Sequence, residues 1–478
     1  MMGARGRTIL AMRVVAALAM AAGGVLMPIS QADGANDAGP SYRRLFLTDE
    51  HVDRMENLRR VLHQPVKYPG SPVLKPERPW ETAFIHHYGT MLHDEEQGLF
   101  RYWHLAAPRI EPGQTVTVDG QPHEKWGCFA YATSEDGIHW KRPSLGQVSF
   151  EGSRDNNILD LRGWEGLAIL HEPKDPDPNR RYKAFYQMNG MSVAFSPDGV
   201  HWTPYSGNPI LPCGSDTGHY VVRDPRTNLY VAFGRFGFGR KIARTTSSDF
   251  VTWSEPQLVL QPDEHERSGP WPATQFYGMT VDLYEGLYLG GLWVYREGTD
   301  GRIDTQLAVS QDGIHWERVA DRATFLPLGP EGAWDDGMIR PAARFITRGD
   351  LIYIFYGMVN APHQGPNVAN LVRKYPGALG LAKLRRDGFV SLDADDELGT
   401  LVTKPVTLGT RALHLNVEVR PGGEASVLVS GVRSRPIHGD HTDVCVQWPE
   451  GVWQALDGRT MSLRVEMRRA RLFSFWFE

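Results

Sequence analysis

The sequence predicts an all-β chain, because one turn motif and its flanking strand pattern return five times. The motif combines Ser or Thr with an Asp, a residue suited to a tight turn and a closing Trp. Its copies are Thr133–Trp140, Ser196–Trp202, Ser247–Trp253, Ser310–Trp316 and a degenerate fifth at Arg385–Phe389. The four tryptophans are 62, 51 and 63 residues apart, which suits one four-stranded antiparallel unit per repeat. This period predicts a five-bladed β-propeller, and a small C-terminal β-sandwich is predicted after it.

The chemistry of the repeated motif assigns it a structural role. Ser and Asp side chains bond the backbone N–H groups of a turn, and glycine supplies a positive φ. We therefore expect each motif at the turn after the third strand of a blade. Each motif Asp should bond its own turn, and each Trp should be buried against its own blade.

The residues around each motif predict the strands of the blades. Short aromatic and β-branched runs are bounded by Gly, Pro, Asp and Asn, a pattern typical of strands joined by tight turns. Units of this kind closed in a ring leave no exposed sheet edges. The propeller is predicted to span residues 80–396, and the short alternating runs at 397–478 predict the β-sandwich.

The N-terminal residues 1–32 have the pattern of a signal peptide. Three arginines precede an apolar run at 14–27, and Ser30-Gln31-Ala32 has the small-x-small form of a cleavage site. The protein is therefore expected to be exported to the periplasm or beyond, with no membrane contact after cleavage. Residues 33–79 are predicted to be an N-terminal extension. Within it, 49–60 is compatible with a short helix and Leu45-Phe46-Leu47 with a strand.

Charge and cysteine content exclude several classes of function. Loss of the signal peptide takes the net charge from −5 to about −8, which argues against nucleic-acid partners. Cys128, Cys213 and Cys445 lie in three different segments and form no disulfide framework or zinc-site spacing. No cofactor or obligate protein partner is predicted. Converging carboxylates on the axis are compatible with a structural Ca²⁺.

The motifs carry a resemblance to a known group of enzymes. Together with Arg78-Pro79-Trp80-Glu81 before the first blade and Thr403-Lys404-Pro405 at the start of the tail, they resemble exported bacterial glycosyl hydrolases. The propeller is similar to that of glycoside hydrolase families thirty-two, forty-three, sixty-eight and one hundred and thirty. The resemblance implies a carbohydrate substrate and acids in a funnel at the propeller axis. It is specific for the fold and less so for a reaction.

The chain departs from the invertase-like relatives at two motifs. An Asn-Asp-Pro motif that carries a nucleophile in those relatives does not occur here. Arg223-Asp224-Pro225 resembles their transition-state-stabilising motif. However, repeat alignment puts Asp224 in the same turn as Asp94 and Asp175, after the innermost strand. Asp224 is therefore predicted to be a turn residue on the face opposite the funnel.

The candidate catalytic acids lie just before or at the start of innermost strands, where the connections between blades surround the axis. Asp216 is predicted to be the base or nucleophile, Glu165 or Asp336 the general acid, and the remaining acid an orienting carboxylate. Converging carboxylates repel one another and raise at least one pKa, which prepares the acid and base of a glycosidase. The predicted substrate-binding residues are Glu81, His87, Trp164, His219, Tyr277, Trp334, Asp335 and Arg340.

Two classes of function follow from the sequence. The converging acids and the predicted export favour hydrolysis of a glycosidic bond. The missing invertase-type motif and the absence of an acid at the start of the fourth blade favour a non-catalytic, glycan-binding propeller. Arg340 and the histidines are suited either to orienting the acids or to binding an acidic or sulfated sugar.

Overall fold

The computed structural model describes residues 42–163, 165–266, 274–342, 344–363, 377–409 and 411–478, without the side chains of His86 and His87. The predicted signal peptide, the predicted ligand Trp164 and the side chain of His87 therefore lie outside the described residues. Across the described ranges the chain forms strands and no α-helix. Short 3-10 helices occur at Pro79–Glu81, Pro178–Arg180, Glu264–Glu266, Val319–Arg322 and Gln454–Leu456. The all-β class is confirmed.

Short strands precede the repeats. They are β1 (Arg44–Leu45), β2 (Val52–Glu56), β3 (Arg59–Leu62) and β4 (Val66–Lys67). The segment that was compatible with a helix thus contains β2 and β3. Both strands pair with partners more than 300 residues later in the chain, so tertiary pairing overrides the local pattern.

Three antiparallel sheets come next, and we call them blades I to III. Blade I contains β5 (Phe84–Asp94), β6 (Leu99–Ala107) and β9 (Cys128–Ser134), with the hairpin β7 (Val116–Val118) and β8 (Gln121–His123) between β6 and β9. Blade II contains β10 (Glu165–His171), β11 (Tyr182–Gln187), β12 (Met191–Ser196) and β13 (Thr203–Pro204). Blade III contains β14 (Tyr220–Asp224), β15 (Leu229–Gly234), β16 (Ile242–Ser247) and β17 (Gln257–Leu260).

Two further sets of antiparallel strands, blades IV and V, are joined by one parallel bridge between β20 and β23. Blade IV contains β18 (Gln275–Tyr284), β19 (Leu287–Tyr295), β20 (Ile303–Ser310), β21 (Glu317–Arg318) and β22 (Thr324–Leu326). Blade V contains β23 (Met338–Pro341), β24 (Ile346–Arg348), β25 (Leu351–Val359) and β26 (Ala378–Arg385).

The blades follow one another in a propeller-like order. The first strands of blades I to IV contact one another in sequence, β5 with β10, β10 with β14, and β14 with β18. Blade V contacts β19 through β23 and β5 through β26. The N-terminal strand β4 pairs with β26, so a segment that precedes blade I completes blade V. The pairing of β4 with β26 thus links the start and the end of the repeat region by backbone hydrogen bonds.

The C-terminal strands are β27 (Val390–Ala394), β28 (Gly399–Thr403), β29 (Val406–Thr407), β30 (Leu413–Val429), β31 (Val432–Arg433), β32 (Gly439–Cys445), β33 (Thr460–Met461) and β34 (Arg464–Phe477). All except β29 and β33, which form a separate pair, belong to one nine-stranded sheet that also takes in β1, β2 and β3. The long strand β34 pairs with β30 on one side and with β28, β27 and β1 on the other. The predicted sandwich and its boundary at residue 397 stay predictions.

The repeated turn motifs have the predicted structural role in the four clear copies. Each follows the third strand of its blade, and each Asp accepts hydrogen bonds from two backbone N–H groups of its own turn. Trp202 and Trp253 are buried, whereas Trp140 and Trp316 are half-buried. The motif therefore stabilises the turn that follows the third strand of each of these four blades.

The degenerate fifth copy has a different role. Asp387 is buried and its carboxylate accepts hydrogen bonds from Arg43 at 3.0 Å, Tyr284 at 2.7 Å, Ser474 at 2.6 Å and Asn416 at 3.3 Å. The expectation that every motif Asp bonds its own turn is wrong for this copy. Its side chain instead ties blade V to blade IV and to the C-terminal sheet.

Candidate active site at the start of the innermost strands

Three innermost strands begin with a β-bulge that carries a polar residue followed by glycine. The dipeptides are Tyr88-Gly89 in β5, Glu165-Gly166 in β10 and Tyr277-Gly278 in β18, and the strand register shifts at each. A β-bulge changes the direction of a side chain and is common beside active sites. The bulges therefore set the directions of the Tyr, Glu and Tyr side chains at one end of the ring.

Glycine is required at all three bulges. An added Cβ would clash with a neighbouring atom at each position. It would lie 1.8 Å from Trp103 O at Gly89, 2.1 Å from His219 Nδ1 at Gly166 and 2.5 Å from Thr217 Oγ1 at Gly278. Gly166 also has a φ of +49°, a conformation that glycine adopts at little cost. At Gly89 the close neighbour is the backbone of the adjacent strand in the same blade, and at Gly166 and Gly278 it is a side chain from the segment before or at the start of blade III.

Glu165 and Asp216 form a pair of acids in unequal surroundings. Glu165 is largely buried, and its Oε2 has no hydrogen-bond partner among the described residues. Burial, and next the charge of Asp216, raise the pKa of Glu165 to about 7, although the guanidinium groups of Arg340 and Arg235 oppose the rise. The side chain of Asp216 is 75% exposed. Glu165 can therefore hold a proton near neutral pH beside a carboxylate that faces water.

Two buried arginines stand beside this acid pair. Arg235 Nη1 lies 3.6 Å from Asp216 Oδ2, and Arg235 Nε donates to the backbone oxygen of Tyr277 at 3.0 Å. Arg340 Nη1 lies 3.4 Å from Tyr88 Oη. The guanidinium carbon of Arg340 is 5.5 Å from the ring centroid of Tyr88 and 5.9 Å from that of Tyr277. The tyrosine rings thus form walls around the cations.

His219 connects the backbone segments that carry the two acids. Its Nε2 is 2.8 Å from the carbonyl oxygen of Ser215, next to Asp216. Its Nδ1 is 3.1 Å from the carbonyl oxygen of Gly166, next to Glu165. Burial lowers the pKa of His219 to about 4, so the ring is neutral at pH 7. This predicted substrate ligand is fully buried and acts on the site through its neighbours.

A second polar group lies on the blade IV side of the site. Tyr277 Oη is 2.9 Å from His363 Nε2, and burial lowers the pKa of His363 to about 4. Arg240 pairs with Glu297 at 3.2 Å and donates to Gln275 Oε1 at 2.7 Å. The loop after β19 therefore supplies a carboxylate to the blade whose innermost strand begins without one.

The structure places the other predicted acids of blade V in local contacts. Asp336 accepts a hydrogen bond from Gly332 N at 2.7 Å, within its own loop. Asp335 is buried and binds Lys67 at 2.7 Å and the hydroxyl of Tyr356 at 3.2 Å. The charges that shift the pKa of Glu165 belong to Asp216, Arg340 and Arg235 and not to Asp336. Two of the three predicted catalytic acids are therefore brought together.

Two further predicted ligands lie in internal contacts. Glu81 is fully buried, and its carboxylate accepts hydrogen bonds from Arg142 at 2.9 and 3.0 Å and from the backbone of Glu77 and Arg78. Its carboxylate is fully occupied and unsuited to binding a sugar. Trp334 is half-buried against the core that blades IV and V share with the C-terminal sheet.

Asp224 lies in a turn, as predicted. It ends β14, and its carboxylate accepts a hydrogen bond from Arg226 N at 2.9 Å and another from Tyr288 Oη at 2.7 Å.

A cavity of about 400 Å³ opens at this opposite end of the innermost strands, lined among others by Asp94, His171, Asp282 and Arg344. Of the three acids in its lining, Asp94 and Asp282 have arginine partners, at 3.6 and 3.1 Å, and Glu95 is exposed. The cavity therefore lacks an acid pair like that of Glu165 and Asp216.

One group of possible metal ligands among the described residues lies in the C-terminal sheet. In the sheet, His414, Asp443 and Glu478 bring ligand atoms within 4.8 Å of one another. Arg43 Nη2 lies 3.7 Å from Asp443, so a bound cation would compete with a guanidinium. On the axis, the buried arginines disfavour a cation between the acids.

Among the described residues there is no helix with the length and apolar character needed to cross a membrane.

Sequence reasoning missed several residues of the site. Tyr88 carried a usable signal, because Tyr88-Gly89, Glu165-Gly166 and Tyr277-Gly278 repeat a polar residue followed by glycine. Arg235, Arg240, Glu297 and His363 lie in loops after second strands or beside third strands, where no repeat pattern marks them.

Parts of the chain are similar in sequence, at low identity, to proteins named as glycosidases. No family model matches the chain. It is 27% identical over 184 residues to acid beta-fructofuranosidase 2, vacuolar, from a Rosa hybrid cultivar, covering 34% of this chain and 27% of the relative. It is 20% identical over 228 residues to a levanase from Bacillus sp. (strain L7), covering 42% and 24%. The chain thus spans about a quarter of the length of these relatives. A solved glycosyl hydrolase from Bacteroides ovatus matches with a TM-score of 0.46 and 16% identity, over 68% of this chain and 94% of that one.

Proposed function

We propose that this chain is an exported glycoside hydrolase with Glu165 as its general acid and Asp216 as its base or nucleophile. One observation carries the proposal. A largely buried carboxyl whose pKa is raised to about 7 lies beside an exposed carboxylate at one end of the ring. Glycoside hydrolysis needs one carboxyl that donates a proton and one that attacks or activates water.

In the proposed reaction the two acids have different roles. Glu165 donates its proton to the glycosidic oxygen as the bond to the anomeric carbon breaks. Asp216 either attacks that carbon or takes a proton from the attacking water. Arg235, 3.6 Å from Asp216, orients that carboxylate. The neutral ring of His219 lies between both backbone segments and donates a hydrogen bond to one of their two carbonyl oxygens.

The two curated relatives support a carbohydrate substrate and suggest where to begin. Both are named for enzymes that act on fructosyl linkages, so β-fructofuranosides head the substrate panel. The panel should extend to other linkages, because the matched segments cover about a quarter of each relative. Export rests on the N-terminal basic and apolar pattern, and sequencing the N-terminus of the secreted protein would test it.

The test is a hydrolysis screen over oligosaccharides followed by matched variants. Asp216→Asn and Glu165→Gln should each lower turnover about 10²–10⁴-fold. Asp336→Asn is the matched control, since this acid lies in its own loop, and it should retain activity. Loss of activity in Asp336→Asn with retention in Asp216→Asn would contradict the assignment. Binding of a glycan without cleavage of any substrate would favour the glycan-binding propeller.

A further inference from the structure

Among the residues that the structure describes, Arg340 is a buried cation without an acidic partner. It is 3% exposed, and no carboxylate lies within 4.0 Å of it among the described residues. Its polar contact is Tyr88 Oη, at 3.4 Å, and its Nε has no hydrogen-bond partner among the described residues. The internal segments 164, 267–273, 343 and 364–376 contain no Asp or Glu. An acidic partner from these segments is therefore excluded by composition.

The other arginines of the site are paired. Arg235 faces Asp216 at 3.6 Å, and Arg240 faces Glu297 at 3.2 Å. Glu165 acts on Arg340 from a greater distance, and it becomes neutral in the protonated form that general-acid catalysis requires. In the form of the site that is ready to react, Arg340 therefore keeps an unbalanced positive charge.

An unbalanced guanidinium in such a place favours an anionic ligand. Removing a charge from water costs free energy unless a counter-charge or several hydrogen bonds replace the lost hydration. The rings of Tyr88 and Tyr277 flank Arg340, and Tyr88 stacks on Trp293 at 5.8 Å. These aromatic walls keep water away and strengthen an electrostatic contact. A guanidinium also has the geometry to bind a carboxylate through two parallel hydrogen bonds.

We propose that the site accepts a sugar that carries an anionic group, a carboxylate or a sulfate, and that Arg340 binds this group. This inference rests on the proposed function for the place of the sugar beside Glu165. Tyr88 supports the assignment, because burial keeps its pKa well above the ordinary value and its hydroxyl stays protonated as a donor. An anion bound at Arg340 also favours the protonated form of Glu165, since two negative charges close together repel.

The experiment measures binding, so that it does not depend on turnover. Isothermal titration calorimetry of the mature chain would compare D-galacturonate and D-galactose 6-sulfate with D-galactose, and D-glucuronate with D-glucose. We expect at least one acidic sugar to bind about tenfold to a hundredfold more tightly than its neutral parent, as for a charge-assisted hydrogen bond. The uronate and sulfate arms distinguish the two anionic groups.

Two variants and a control assign the effect to Arg340. Arg340→Gln should abolish the preference for the acidic sugar, measured as the ratio of its affinity to that of the neutral parent, and Arg340→Lys should keep part of this preference. Arg344→Gln, at the opposite end of the innermost strands, should keep the full preference. Unchanged thermal unfolding of Arg340→Lys would separate lost binding from misfolding.

Several outcomes would overturn the proposal. They are equal affinity for acidic and neutral sugars, failure of every acidic sugar to bind up to its solubility, and a preference that survives in Arg340→Gln. Release of a sugar phosphate when inorganic phosphate is added would also overturn it, because Arg340 would then hold a free anion. Hydrolysis of neutral glycans with no gain from an acidic group would support the proposed hydrolase and contradict the role of Arg340. Binding of acidic sugars without hydrolysis would support the role of Arg340 and contradict the proposed hydrolase.

Discussion

Replacing Glu165 by Gln should stabilise the protein at alkaline pH while it abolishes the proposed activity. The wild-type carboxyl loses a proton with difficulty, because burial and the charge of Asp216 raise its pKa from 4.5 to about 7. Gln resembles the protonated carboxyl in size and charge and does not ionise. The variant therefore avoids the charged form that the folded site disfavours.

The magnitude follows from the shift in pKa. The stabilising contribution of the protonated form is fully present below pH 4.5, the unfolded value, and is lost as the pH rises through about 7. Each tenfold change in proton affinity is worth about 1.4 kcal/mol, so the whole interval corresponds to about 3 kcal/mol as an upper value. For a folded unit of roughly 440 residues this is about 3 °C in Tm. The difference between variant and wild type should be small at pH 4.5 and reach this value above pH 7.

The assay is thermal unfolding of both proteins at intervals between pH 4.5 and 8.5. Glu81→Gln is the matched control, because Glu81 is also buried but forms two hydrogen bonds with Arg142. Removing that charge leaves a buried guanidinium poorly paired and should destabilise the fold by about 3 kcal/mol at pH 8. The two substitutions thus have the same chemistry and opposite expected signs.

A flat difference between Glu165→Gln and wild type across this pH range would refute the reasoning. It would mean that Glu165 ionises at an ordinary pKa and lacks the proton that a general acid must donate. Destabilisation that grows with pH would mean that the carboxylate is stabilised in the folded protein, the reverse of the arrangement described.

Three further outcomes are expected. In Asp216→Asn the pKa of Glu165 should fall from about 7 but stay above 4.5, because burial remains its largest cause, and carbon-13 NMR of the labelled carboxyl would measure it. His219→Ala should lower kcat about tenfold or more with little change in KM and should move the alkaline limit of activity, since His219 spans the segments of both acids; an unchanged pH profile would contradict this role. Asp387→Ala should cost about 3–5 kcal/mol of stability, because it leaves buried Arg43 without its 3.0 Å partner, and denaturant unfolding would show the loss.

The sequence predicts the blades well because their determinants are local. The motif Asp, the turn residue after it and the strand runs around them act within one repeat. In the four clear copies the Asp bonds its turn as expected, although Trp140 and Trp316 are half-buried where buried side chains were predicted. The C-terminal sheet depends on pairs far apart in the chain, such as Arg44 with Phe475. No local pattern reveals that β1, β2 and β3 belong to this sheet.

The candidate site is predictable where it follows the repeat. Glu165, Tyr277 and Arg340 lie near the starts of innermost strands and Asp216 lies just before one, so repeat alignment predicts them. Asp336 has a comparable position in sequence, but its loop folds back so that its carboxylate caps Gly332. A loop conformation of this kind is set by contacts that repeat alignment does not contain.

The three bulges explain how one repeated architecture can hold an unequal pair of acids. The same feature, a polar residue before a glycine that leaves no room for a Cβ, carries Tyr in blades I and IV and Glu in blade II. The Glu is thereby placed among aromatic and cationic side chains. Asp216 is carried instead by the loop before β14, and its side chain is 75% exposed although its neighbours Ser215 and Thr217 are buried. Desolvation at the bulge raises the proton affinity of Glu165. The difference between a strand bulge and a loop that leaves a side chain in water therefore supports the proposed acid role of Glu165 and the proposed base or nucleophile role of Asp216.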